Sequence, residues 1–521
     1  MNPKMDPKAG LPMGDPLILQ QARSSAPFSR QATLAARERR REHEIKPLRP
    51  PKERQPVADE VDELQLLNAV AAANTTVASA PPVAPAAAGL PVTFLGGADN
   101  GTTIPPDTAG AVGPKHVFNP LNNDVWIFDR HGTQLGAPVP LNAFWSGLGV
   151  TGHTFDPRAA FDPYERRFIF ASMADADMPT SSLLVAVSET DDPTMAWVSH
   201  AIRVEDTAQG PVWLDFPSVG FTADKITLQV NLFTRGGGQF SGSTIYSIDK
   251  RSLYDPPHRA SVQRFILQNQ GATHVPVVTY DSTQNDQFIV SRWSGNIQGK
   301  GYLVCYRLSG NVGTGQATLN RIGFLTTPLT WDSFPPGDLG QQSSIPQRVS
   351  VGDDRILSAC YRNGRLYCCH TVMLPTGRPT RGSIQWWEID TANWTVLNVG
   401  RIDDPTGANC YSSPSMAVNS QDDLLIGHSI FSATIHPSSG FALRKSGGAL
   451  QPTQIFAPGL ERYFKTFGGP TNRWGDYSHT QVDLNDIDFW TTQEFAGATP
   501  DTWATMWTNV TIPPIVVAGN P

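Results

Sequence analysis

Charge is scarce in this chain: Asp, Glu, Lys and Arg make up only 17% of its 521 residues. A net charge of −7 gives no general electrostatic reason to bind nucleic acid or an anionic membrane. Cysteine is equally sparse. The five present, Cys305, Cys360, Cys368, Cys369 and Cys410, are odd in number and too few to frame a disulfide-built fold, so burial must hold the core together. No run of 18 apolar residues exists, which excludes a transmembrane helix. Pro, Gly and Asp interrupt Met1 to Gln20, where a secretory signal would need a continuous apolar stretch. The expected location is therefore cytoplasmic and assembly-associated, or outside by a non-Sec route.

What is plentiful points to strands. The chain has 45 Gly, 44 Pro and 13 Trp, a composition suited to many short strands joined by tight turns. Residues 1–91 are the exception. Phe28 is their only aromatic, Pro and Ala are common, and Arg37 to Glu42 form a charged run. Such a segment cannot build a core. It is expected to be a non-globular arm with two short helices, Gln31 to Glu44 and Val57 to Ala73, followed by an Ala/Pro linker.

Within 92–521 one strand-turn-strand unit recurs: small or apolar residues, a polar turn usually containing Asp, then an alternating strand. Its copies begin at Ala109, Arg158, Pro217, Val277, Arg348, Pro414 and His479, 49 to 71 residues apart. That spacing suits a four-stranded blade with variable loops. The expected fold is all-β, a β-propeller of seven four-stranded blades behind the N-terminal arm. Asn363-Gly364 reads as a two-residue hairpin turn that sets Cys360 opposite Tyr367 and leaves Cys369 diagonal to Cys360, too far for a disulfide. All five thiols then read as small core residues.

The stretches PPDTAGAVGPKHVFN at Pro105, WLDFPSVGFTADKITLQVNLF at Trp213, GRLYCCHTV at Gly364, PSMAVNSQDDLLIGHS at Pro414 and NRWGDYSHTQVDLNDIDFWTTQEF at Asn472 resemble a family of bacterial propeller-like proteins, described as hypothetical or secreted. The resemblance covers most of Val92 to Ile512, omits the arm, and implies a propeller with no established activity.

In a propeller the loops leading into the innermost strands converge on one face. Here that places together His153, Asp156, Arg158, Trp213, Asp215, His274, Tyr411, Arg473, Trp474, Asp476 and Tyr477. Three uses compete for them. The polar groups could bond loop backbone and fix blade register. Trp213, Trp474 and Tyr477 could stack on a sugar or peptide beside the carboxylates. Asp156, Asp215 and Asp476 could serve as acid and base in glycoside cleavage, with Arg158, Arg292, Arg473 and Tyr477 in sialidase-like roles. Neither the Ser-x-Asp-x-Gly-x-x-Trp box nor a Trp-Asp repeat is present. No cofactor is expected, although the Asp pairs at 191–192, 353–354, 403–404 and 422–423 leave calcium open. The leading expectation is a non-enzymatic binding or structural propeller whose disc recognises a partner or glycan. The arm would anchor it to a multi-subunit assembly such as a cell surface, secretion apparatus or virus-like particle, or to further copies of itself. The alternative is a carbohydrate-active hydrolase with its site at the central channel.

Overall fold

The computed structural model describes residues 14–19, 22–24, 89–150, 152–208, 210–268 and 270–512. Both helices expected in the arm lie outside these residues. The strands follow one another as antiparallel four-strand meanders. The first comprises Ala111–Val112, His116–Pro120, Asp124–Asp129 and Val139–Pro140. The second comprises Thr154–Asp162, Arg167–Ala174, Ser182–Ser188 and Trp197–Arg203. In the third, Val212–Phe221, Lys225–Thr234, Phe240–Asp249 and Ser261–Leu267 succeed one another. A fourth begins at Val275–Pro276 and continues through Gln287–Ile297, Lys300–Ser309 and Thr318–Thr327. The fifth holds Ile356–Arg362, Arg365–Leu374, Arg381–Asp390 and Thr395–Ile402, and the sixth Asn409–Val418, Leu424–Ser432, Ile435–Arg444 and Gln454–Ala457. The seventh takes three strands from the C-terminal end, His479–Val482, Phe489–Ala496 and Trp503–Thr511, and its fourth, Gly89–Ala98, from the N-terminal side.

The hydrophobic clusters show how these sheets are stacked. Phe118 and Val125 of the first meander pack with Phe168 and Leu184 of the second. Ile169 and Val185 of the second pack with Leu228 and Trp213 of the third. The same relation holds from third to fourth, fourth to fifth, fifth to sixth and sixth to seventh. Val112 and Phe128 of the first then meet Trp490 and Trp507 of the seventh, which closes the circle. The alternating strands supply two apolar faces per sheet, and each face is buried against a neighbour. This radial packing is the β-propeller expected from the repeat. Residues in or just before the inner strand of each meander line one axial cavity of ≈ 80 Å³.

Most of the inner hairpins lie where the repeat places them, with one displacement. The fifth turns at Asn363-Gly364, with Cys360 opposite Tyr367, whereas the copy begun at Arg348 centres its turn on Asp353-Asp354. Those two aspartates are bound instead to side chains: Asp353 to Arg355 at 2.6 Å, and Asp354 to Arg292 at 2.9 Å and Trp331 Nε1 at 2.8 Å. All five cysteines are free and buried. Two pieces of the expected arm belong to the disc itself. Asp15–Ile18 pairs antiparallel with the outer strand Ser261–Leu267, and Ala22–Ser24 with the outer strand Trp197–Arg203.

Candidate functional site

The residues leading into the inner strands converge, and carboxyls dominate the convergence. Thr154–Asp162 breaks register with its neighbour between Phe155 and Arg158, and Val212–Phe221 does so between Asp215 and Ser218. In each bulge a left-handed residue precedes a proline: Asp156 (φ 54°) before Pro157, and Phe216 (φ 53°) before Pro217. A bulge of this kind re-aims side chains at the end of a strand. It turns Asp156 and Asp215 toward one another, and both accept from the amide of Phe216, at 3.1 and 3.0 Å. Asp156 is hydrogen-bonded to Asp215 and to Asp107 as well. Two carboxylates cannot share such a bond without a proton, so this chain of three carboxyls is partly protonated.

Burial is the first cause. It raises Asp107 and Asp156 well above the usual carboxylate range, with repulsion from neighbouring carboxylates adding to it, and pushes Asp215 up to about 7. Asn122 anchors the inner end of the chain, donating from Nδ2 to Asp107 Oδ2 at 2.5 Å and accepting the Asp156 amide at 2.8 Å.

The loop of the seventh meander, Asn472 to Ser478, closes over this group, and its residues reach the other meanders. Asp476 donates its amide to Asp107 Oδ1 at 3.0 Å, and its carboxylate pairs with Arg473 at 2.9 Å. Tyr477 donates its hydroxyl to Pro157 O at 2.9 Å, and Ser478 donates its own to Ser413 O at 2.8 Å. Gly475 lies so close to Glu494 that a β-carbon would stand 2.6 Å from Oε2, which accepts its amide at the same separation. Burial holds the Glu494 carboxyl above its usual range. Arg158 stacks over Tyr477 with the guanidinium carbon 3.2 Å from the ring centroid, and Arg355 lies 4.0 Å over Phe216.

Six expected site residues therefore meet: Asp156, Arg158, Asp215, Arg473, Asp476 and Tyr477. The other five do not join them. Trp213 is fully buried against Phe233 and the core between the second and third meanders. Trp474 is buried beside Phe431 and Tyr463 and donates to Ser429 Oγ at 2.9 Å. His274 is buried against Tyr306 with Nε2 at Gln270 O, and Tyr411 packs on His428. His153 stacks on Phe155. Trp213, Trp474 and Tyr477, expected as a stacking platform, are all at most 2% exposed and offer no open ring face. The reason is positional: Trp213 lies before the bulge that re-aims Asp215 and packs in the core between the second and third meanders, while Trp474 lies in the loop before the seventh inner strand and packs with Phe431 and Tyr463.

The chemistry open to this group is narrow. A glycosidase pair needs carboxyls roughly 5 to 9 Å apart, and Asp156 and Asp215 are in hydrogen-bond contact. Asp476 and Arg473 form the more exposed end, with side chains 26% and 31% accessible. Arg292, cast in a sialidase-like cluster, is held by Asp354. The Asp turns considered for calcium are also engaged: Asp191 with Arg166, Asp403 with Arg381 and Asp423 with Lys445. Among the described residues no group of three or more His, Cys, Asp or Glu side chains is disposed to hold a metal ion. Sequence reasoning missed Asp107, Arg355, Phe216 and Glu494. Asp107 stood in the quoted PPDTAGAVGP stretch, two residues before the first inner hairpin, and that position was its signal.

No protein-family model matches the chain, and no curated protein does. Among solved structures, an α-L-arabinanase of Penicillium chrysogenum in complex with arabinobiose is 11% identical, with 81% of this chain and 98% of that one covered and a TM-score of 0.36. The β-propeller domain of the Trilobed protease from Pyrococcus furiosus is 11% identical, covering 83% of this chain and 99% of that one, with a TM-score of 0.38. The NanB sialidase from Streptococcus pneumoniae is 7% identical, covering 76% and 82%, with a TM-score of 0.37. The described residues contain no helix long and apolar enough to cross a membrane.

Proposed function

We propose that this protein is a non-enzymatic binding or structural propeller of seven blades, each meander being one blade, whose N-terminal segment ties the disc to a larger assembly. One observation carries the reading. The chain is fastened to the rim of the disc at two places, by Asp15–Ile18 with Ala22–Ser24 and again from Gly89, so both flanks of residues 25–88 are held at the rim. Strand addition to a sheet edge is also how a propeller would engage an extended segment of a partner. The carboxyls at the centre fit this reading because their oxygens are spent on amides, on each other and on arginines. They brace the blade junctions, and Arg473 with Asp476 remain as the accessible pair for a partner or glycan.

Replacing residues 25–88 with a flexible Gly/Ser linker long enough to run along the rim from the second meander to the seventh tests the idea. The expected result is a folded, monomeric disc that no longer self-associates or retains a partner in size-exclusion chromatography with light scattering. The competing reading, a carbohydrate-active hydrolase, would have to use the exposed end of the cluster. If Asp476→Asn abolished turnover of a glycoside panel while leaving the fold intact, the binding reading would fall.

A further inference from the structure

The inner strand Asn409–Val418 carries the same irregularity as the two described above: its register shifts between Ser412 and Ser415, with Ser413 left-handed (φ 50°) before Pro414. Arg158, Ser218 and Ser415 are thus equivalent, each the first residue to resume pairing after a bulge. All three line the axial cavity. Two are serines, and one is an arginine that reaches into the space the short side chains leave.

That arginine is held as a fixed fork. Its Nε donates to Pro217 O at 2.8 Å, and its plane rests on Tyr477, with Phe216 at 5.4 Å. Tyr477 is itself pinned through its hydroxyl to Pro157 O. Among the described residues Nη1 and Nη2 have neither a hydrogen-bond acceptor nor an ion-pair partner. Asp156 and Asp107 act on the charge of Arg158 only from a distance. Thr108 lines the same cavity, is wholly buried, and its Oγ1 has no partner. The half-buried guanidinium keeps an open fork toward the cavity, and the buried hydroxyl without an acceptor is costly unless a third group satisfies it.

We propose that the axial cavity is a binding site for a small carboxylate ion, gripped by Arg158 through Nη1 and Nη2 and hydrogen-bonded by Thr108 Oγ1. The planar fork matches a carboxylate in two parallel hydrogen bonds, which a lysine cannot reproduce. A cavity of ≈ 80 Å³ limits the ligand to a few heavy atoms, the size of formate or acetate. This site stands independently of the anchoring role proposed for residues 25–88.

The test is calorimetric titration of the full-length protein with sodium formate, acetate and benzoate at constant ionic strength. Formate and acetate are expected to bind saturably and benzoate, too large for the cavity, not to bind. Arg158→Lys, which keeps the charge and loses the fork, is expected to weaken acetate binding by ~10-fold or more. Thr108→Val preserves shape and removes the hydroxyl, and should weaken it by roughly 3- to 10-fold, which keeps the test decisive if the arginine variant does not fold. Absence of saturable formate and acetate binding, binding unchanged in both variants, or benzoate binding as well as acetate would each overturn the proposal.

Discussion

Asp156 and Asp215 accept from one and the same amide, that of Phe216, at 3.1 and 3.0 Å. Shared by two carboxyls from adjacent meanders, that N–H is the joint at which the second and third sheets meet over the channel. The arrangement is stable only while a proton sits between the carboxyls, and this sets a direction for the effect of pH.

A carboxyl whose pKa is raised on folding contributes stability below its unfolded value, near 4, and loses it as pH climbs through the folded value. With Asp215 pushed up to about 7, and Asp107 and Asp156 raised beside it, their contribution to stability is expected to fall between pH 4 and pH 8. Buried His274, His370 and His428 and half-buried His479, lowered to about 4, contribute with the opposite sign, so the comparison that isolates the carboxyls is with Asp215→Asn, a permanently uncharged substitute. The thermal midpoint of the wild type should lose ground to that of the variant as pH rises across the range, and a wild type that gains on the variant would contradict the protonated chain.

Glu388 is the buried hub of a second network. Both Nη atoms of Arg444 donate to its Oε2 at 3.0 Å, while Arg365 reaches Oε1 at 2.7 Å. Arg444 is 4% exposed and Arg365 39%, so the two bonds are not equal. Glu388→Ala strands a buried guanidinium and is expected to cost about 3–5 kcal/mol in chemical denaturation. Arg365→Ala should cost about 1 kcal/mol or less, because its pair is open to water. Equal losses would mean that burial does not govern this network.

The thiols offer a check on packing. Burial pushes Cys305, Cys360 and Cys410 up to about 12 and raises Cys368 and Cys369 well above the usual thiol range. Since the thiolate is the reactive form, native protein at pH 8 should leave all five unmodified by a thiol reagent over an hour, and denaturant should release them together. Rapid labelling of any of them in the native state would place that residue outside the core.

The docked N-terminal strands make a local expectation. Removing residues 1–24 uncovers the edges at Trp197–Ser199 and Ser261–Arg264, so hydrogen exchange should speed up there and stay unchanged in Phe489–Ala496. Equal protection with and without the segment would show that it does not hold the rim.

The disc was legible from sequence because its determinants are local: a turn with Asp or Asn-Gly, then an alternating strand. Where the turn signal is duplicated, as at Asp353-Asp354 and Asn363-Gly364, the repeat was centred on the first although the second also read as a hairpin turn, and it is the second that turns. Arg292 and Trp331 hold Asp354 instead. The site was half legible. Convergence of loop ends follows from topology and brought Asp156, Asp215 and Asp476 into one candidate group. Which aromatics would be open depends on tertiary packing that no local pattern marks, and the proline after Asp156 or Phe216 was the overlooked mark of the bulge that re-aims the carboxyls.

The seventh meander has a consequence for synthesis. Its fourth strand, Gly89–Ala98, is made long before its third, Trp503–Thr511, yet Phe94 faces Trp507 and Thr93 Oγ1 bonds Thr508 Oγ1 at 2.8 Å. A nascent chain on the ribosome therefore carries an unpaired strand for some four hundred residues. A premature stop anywhere before Trp503 leaves the circle open at that seam, with Trp490 uncovered where Trp507 should lie. Two segments some four hundred residues apart are thereby read together, and a fragment lacking either leaves the seam unpaired.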